Sequence, residues 1–162
     1  MLSKLVILSA VVLALAPSAG PSRTIALGPL DAAYDPAEMT VELFEGGVVL
    51  DSVRPWNRTA AYVEVSDAAP CSTDAMQEAL GDRGETRHEI GTRQLDSGLT
   101  LHWATSWTGC RARTGRPIAA CIRHDGVTTR VRGLDLGCRT PIAQDALILD
   151  LLSGARPRES VG

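Results

Sequence analysis

The sequence predicts an α+β domain: an antiparallel β-sheet, made of an N-terminal hairpin and a four-stranded meander, covered on one face by two helices and carrying two disulfides. Three observations lead there. Apolar and polar residues alternate with a period of two through Leu99–Trp107, Ile118–Ile122 and Val127–Val131. Gly46-Gly47 and Asp125-Gly126 each separate two β-rich runs, and glycine supplies the positive φ that tight hairpins need. Two further stretches, Ser72–Gly81 and Thr140–Gly154, begin and end on the residues that start and stop helices.

The elements follow in order. Lys4, an apolar stretch from Leu5 to Ala16 and the small residues Pro17-Ser18-Ala19-Gly20 read as a cleavable secretory signal over residues 1–20. That stretch is shorter than the roughly 20 apolar residues of a spanning helix, and no cysteine precedes Cys71 to accept a lipid. The expected product is exported to the periplasm or the medium, with no integral membrane segment after signal cleavage. Residues 21–162 are then one domain of about 140 residues, with an irregular start over 21–37, rich in Pro, Gly and Ala.

Thr40–Glu45 and Val48–Asp51 flank the glycine pair and form the first hairpin; Pro55 and Asn57 interrupt, and Ala61–Val65 resumes as a strand. Ser72 or Thr73 caps a helix through Leu80, with Asp74 near its positive end and Gly81 at its stop. The meander comprises Arg87–Leu95, the run through Trp103 and Trp107, Ile118–Ile122 and Val127–Val131. Thr140 caps the last helix, Pro141 suits its first turn, and Ile142, Leu147, Ile148, Leu151 and Leu152 form its apolar side. A frayed tail is expected over 155–162.

Four cysteines, Cys71, Cys110, Cys121 and Cys138, suit two disulfides in an oxidising compartment, and none stands in C-x-x-C spacing, so no metal is expected. The Asp125-Gly126 turn sets Cys121 opposite Arg130 and Arg123 opposite Thr128. Taking Gly115-Arg116 as the tip of the preceding hairpin brings Cys110 opposite Cys121, which leaves Cys71 to pair with Cys138.

The same register gathers Arg123, Arg130 and Arg132 beside Cys121, with His102 one strand over. A guanidinium offers a fork matched to carboxylate or phosphate, so this face is a candidate anion site. Its alternative is a solvated polar face. Trp103 and Trp107 share the opposite, inward parity, and Trp56 lies in a loop. The histidines His88, His102 and His124 stand in no catalytic motif: there is no H-E-x-x-H, G-x-S-x-G or phosphate loop, and no cofactor is expected.

Basic residues number one lysine, Lys4, against fifteen arginines, the usage of a GC-rich bacterial genome. Thr24–Pro70 carries acids such as Asp35, Glu42 and Glu64, while Gly81–Thr140 is arginine-rich, so the two halves are expected to face each other with complementary fields. A net charge of −3 does not point to nucleic acid. The reading that follows is a non-enzymatic exported binding protein recognising a protein or a small anionic ligand. The alternatives are a small exported hydrolase with a histidine–carboxylate site, and a structural envelope assembly factor.

Overall fold

The computed structural model describes residues 22–44, 47–53, 60–81, 87–110, 113–115, 117–133 and 144–159. Its elements in chain order are β1 (Arg23–Leu27), β2 (Leu30–Tyr34), β3 (Met39–Phe44), β4 (Gly47–Ser52), β5 (Ala60–Ser66), α1 (Thr73–Leu80), β6 (Arg87–Gln94), β7 (Thr100–Cys110), β8 (Arg113–Gly115), β9 (Ile118–His124), β10 (Val127–Gly133), α2 (Gln144–Ser153) and β11 (Arg156–Pro157). The main sheet runs β3-β4-β5-β10-β9-β7-β6, with β8 added to β7, and a second sheet runs β1-β2-β11. Every pairing is antiparallel.

The α+β class, the N-terminal hairpin (β3–β4) and the meander (β6-β7-β9-β10) are therefore present. The Asp125-Gly126 turn has both residues at positive φ, 48° and 79°, the geometry that matches the twist of flanking strands. It sets Arg123 opposite Thr128 and Cys121 opposite Arg130, as the sequence implies.

Strand parity divides the main sheet into two faces. On the apolar face Leu50, Val63, Leu101, Ile118, Ala120, Ile122 and Val131 are buried, and Ile148, Leu151 and Leu152 of α2 complete one core with Leu27 and Leu30 of the small sheet. On the opposite face Ala104, Ala119 and Cys121 form a small apolar patch under Met76 of α1. The two helices thus take opposite faces instead of sharing one, because this patch of small side chains lets α1 settle on an otherwise polar surface.

Residues 21–37, expected to be irregular, hold a hairpin. Ile25, Leu27, Leu30 and Ala32 are buried in period-two positions around a turn with Gly28 at φ 65°. Prolines and glycines of the segment lie at the turn and flanks, so its composition conceals the alternation. Thr129 Oγ1 donates to the Leu27 carbonyl at 2.8 Å and ties this hairpin to the main sheet. The tail expected to fray is likewise held as far as Arg158. Ala155 is buried, Arg156 and Pro157 pair with β2, and the Arg158 amide donates to the Pro29 carbonyl at 2.9 Å. Gln144 begins α2 as described, so Thr140, Pro141 and Ile142 lie outside the described residues, as do Trp56 and residues 1–20, where a signal was expected.

Trp103 faces the apolar side as its parity predicts. Its ring lies over Gly91, the residue opposite it on β6, so closely that a Cβ there would overlap the indole. The glycine makes room for an aromatic that covers an edge strand. Among the described residues of the main sheet, the acidic strands β3–β5 and the arginine-bearing strands β6, β9 and β10 lie side by side rather than face to face, meeting at β5–β10 where Arg130 Nη1 stands 3.7 Å from Glu64 Oε2.

Candidate functional site

The polar face is built around α1 and the loop before it. Ser72 caps the helix, its Oγ accepting from the Ala75 amide at 3.1 Å, and Gly81 ends it at φ 75°. Met76, fully buried, plugs the helix onto Ala104, Ala119 and Cys121. Burial of such a side chain contributes roughly 1.5–3 kcal/mol. A disulfide joins Cys71, two residues before the helix, to Cys121 in β9, with Cα atoms 5.7 Å apart.

This bond corrects the expected pairing of Cys110 with Cys121 and of Cys71 with Cys138. The error is one of register. Gly115-Arg116 is not the hairpin tip: Cys110 pairs with Arg113, so the chain reverses between them. The same register carries on to β9, and Cys121 stands opposite His102, eight residues along β7 from Cys110. At 3.3 Å per residue that is about 26 Å, far beyond disulfide reach. Eight is an even shift, which is why Cys121 keeps the predicted face while losing the predicted partner. Cys138 and the Cys110 side chain lie outside the described residues.

The three arginines do share the face, and their donors go to main-chain carbonyls. Arg123 Nη1 donates to the Ala69 carbonyl and to Thr128 Oγ1, each at 3.3 Å, and its Nη2 approaches the Asp67 carbonyl at 3.5 Å. Thr128 Oγ1 donates to the same Ala69 carbonyl at 2.8 Å. Arg130 Nη2 donates to the Pro70 carbonyl at 3.3 Å. Arg132 Nη2 reaches the Ala79 carbonyl, in the last turn of α1, at 2.8 Å. Segment 67–70 forms neither helix nor strand, so its carbonyls need side-chain donors. A cation at the C-terminal end of α1 also suits the helix dipole. The cluster clamps the disulfide-bearing loop and α1 to the sheet while leaving positive charge on that face. Its least satisfied member is Arg130, only 16% of whose side chain is exposed and whose buried Nε has no hydrogen-bond partner.

His102 lies on the same face opposite Cys121, and its Nδ1 is 3.3 Å from Thr92 Oγ1. His124 Nε2 lies 3.3 Å from Asp125 Oδ2 beside the exposed hairpin turn. The His88 side chain lies outside the described residues. A cleft of about 160 Å³ lies between α2 and the β2–β3 connection, lined by residues including Tyr34, Asp35, Met39 and Asp150; a second, of about 370 Å³, is lined by Asp31 and residues 156–159. Neither includes a histidine. Among the described residues no group of three or more His, Cys, Asp or Glu could hold a metal ion, and no helix is long and apolar enough to cross a membrane.

Beyond α1 the polar face continues over β10, β5, β4 and β3 with exposed side chains. Tyr62, 44% exposed, stands between Arg132 of β10 and Val49 of β4, with Glu64 two residues along its own strand and Glu42 on edge strand β3. The anion-site reading overlooks this group. Its signal was the alternation in Ala61-Tyr62-Val63-Glu64-Val65, which sets Tyr62 and Glu64 on the face opposite the buried Ala61 and Val63.

No family model matches the chain, and no curated protein matches it. Among solved structures, it superposes on the solution structure of cyanobacterial PsbP (CyanoP) from Synechocystis sp. PCC 6803 with a TM-score of 0.52, covering 90% of this chain and 96% of that one. The fold is similar to that of PsbP. At 11% sequence identity the likeness to PsbP concerns the fold alone.

Proposed function

We propose that this is an exported, non-enzymatic interaction protein that binds a protein partner through the open part of its polar sheet face. The observation that carries the reading is Tyr62, an aromatic 44% exposed at the middle of a sheet face between a cation and an aliphatic side chain. Tyrosine and arginine are enriched in protein interfaces because each combines apolar contact area with directional donors. Export is supported by the leader-like residues 1–20 and by the Cys71–Cys121 disulfide, which persists in oxidising compartments. The likeness to PsbP supports the fold and brings no partner with it.

A small anionic ligand on Arg123, Arg130 and Arg132 is the second reading, favoured by three guanidinium groups on one face. Their bonds to carbonyls speak for a protein partner instead, since an anion would compete with the clamp that holds α1. Crosslinked pull-down from the native envelope with Tyr62→Ala and Val49→Asp tests the first reading. Loss of the captured partner with an unchanged thermal midpoint is expected, and undiminished capture overturns it. Phosphate or acetate titration followed by NMR separates the second, which requires saturable shifts at the three arginines and His102.

A further inference from the structure

Strand β6 closes the main sheet at the edge opposite β3. It pairs with β7 on one side, and among the described residues no strand lies on the other. An edge strand presents a row of N–H and C=O groups ready to pair with another extended chain, and proteins blunt such edges with proline, lysine, bulges or brevity. Proline, lysine, a bulge and brevity are all absent from β6, and the guard it carries is charge, on Arg87, Glu89 and Arg93. Its eight residues, RHEIGTRQ, hold an unbroken register against β7, and Ile90 near the middle is 51% exposed.

We propose that β6 is a homodimerisation edge, on which two copies pair antiparallel and join their main sheets about a twofold axis at Gly91. The charge pattern selects both the occupant and the register. Opposed residues in a continuous antiparallel sheet point to the same face, so only registers two residues apart are open. With Gly91 opposite Gly91 of the partner subunit, Glu89 stands opposite the partner's Arg93 and, by symmetry, Arg93 opposite the partner's Glu89. Both residues are exposed. The same register sets Ile90 opposite the partner's Thr92, a β-branched pair that covers the exposed isoleucine. Shifting the axis to Ile90 would oppose Arg87 and Arg93, a like-charge contact; shifting it to Thr92 would leave no unlike charges of β6 opposed. Only the Gly91 axis is self-complementary. Arg93 Nη1 also donates to Ser153 Oγ, a bond that a guanidinium with five donors can keep while facing a carboxylate.

Sedimentation of the mature chain from low to high micromolar concentration tests this. A concentration-dependent dimer is expected. Glu89→Arg alone and Arg93→Glu alone should each weaken it about tenfold or more, since two symmetric pairs become repulsive. The double reversal Glu89→Arg with Arg93→Glu should return it to within about threefold of the native chain, because the opposed pairs are re-formed with signs exchanged. Ile90→Lys provides an independent variant that should also give monomer, with circular dichroism confirming that each variant is folded. A native chain monomeric throughout, a dimer indifferent to the single reversals, or a double reversal that fails to restore association would each overturn the proposal. So would a monomer that accepts a heterologous extended peptide along β6.

Discussion

Replacing Cys71 and Cys121 together with alanine removes the covalent tie between the α1 layer and β9. The two residues are 50 apart in sequence. Loop-closure entropy for a loop of that size corresponds to about 4 kcal/mol at 25 °C. A compact denatured ensemble reduces this figure, while loss of the buried Cys121 sulfur beneath Met76 adds a packing term, so a net loss of about 2–4 kcal/mol is expected. Urea unfolding of native and double-alanine chains, each in the oxidised state, measures it. Amide hydrogen exchange locates it: α1 should lose protection first, because Met76 and the arginine bonds to carbonyls then hold that layer alone. A loss below about 1 kcal/mol, or unchanged exchange in α1, would refute the reasoning. Non-reducing peptide mapping must also give a Cys71–Cys121 fragment; a Cys110–Cys121 fragment would refute the β7–β9 register itself.

Two further substitutions probe how the layers are joined. Gly91→Ala places a Cβ into the Trp103 ring, which must turn out of its position; a loss of about 1–3 kcal/mol is expected, with a displaced Trp103 indole N–H resonance, and an unmoved resonance would count against the close packing. Thr129→Val removes the donor to the buried Leu27 carbonyl and should cost about 1–3 kcal/mol, with faster amide exchange in β1 and β2 than elsewhere; uniform exchange would show that the small sheet does not depend on this bond.

Features written in neighbouring residues were legible in the sequence. Asp125-Gly126 dictates its own turn, and a two-residue turn sets the register of both flanking strands, so the partners of Cys121 and Arg123 on β10 were predictable residue by residue. Ser72 and Gly81 bound α1 through local hydrogen bonds and backbone conformation in the same way. The β7–β9 pairing failed because its presumed turn rested on one glycine, Gly115, which lies within β8. Parity survived that error, since the shift was even, so His102 still fell on the face of the three arginines, which the Asp125-Gly126 turn sets independently.

The sequence by itself determined the α+β class, the hairpin, the meander, the capped first helix and the two faces of the sheet, because period, turn chemistry and capping act over a few residues. Tertiary structure alone decided which face each helix covers, that Cys71 reaches Cys121, and that residues 23–34 and 156–157 form a second sheet. It also decided that the arginines spend donors on the carbonyls of residues 67–70 and 79. These outcomes depend on which distant segments come within a few ångströms of one another. Chain closure over 50 or 100 residues costs almost the same for many alternative partners, so only the packed core selects among them.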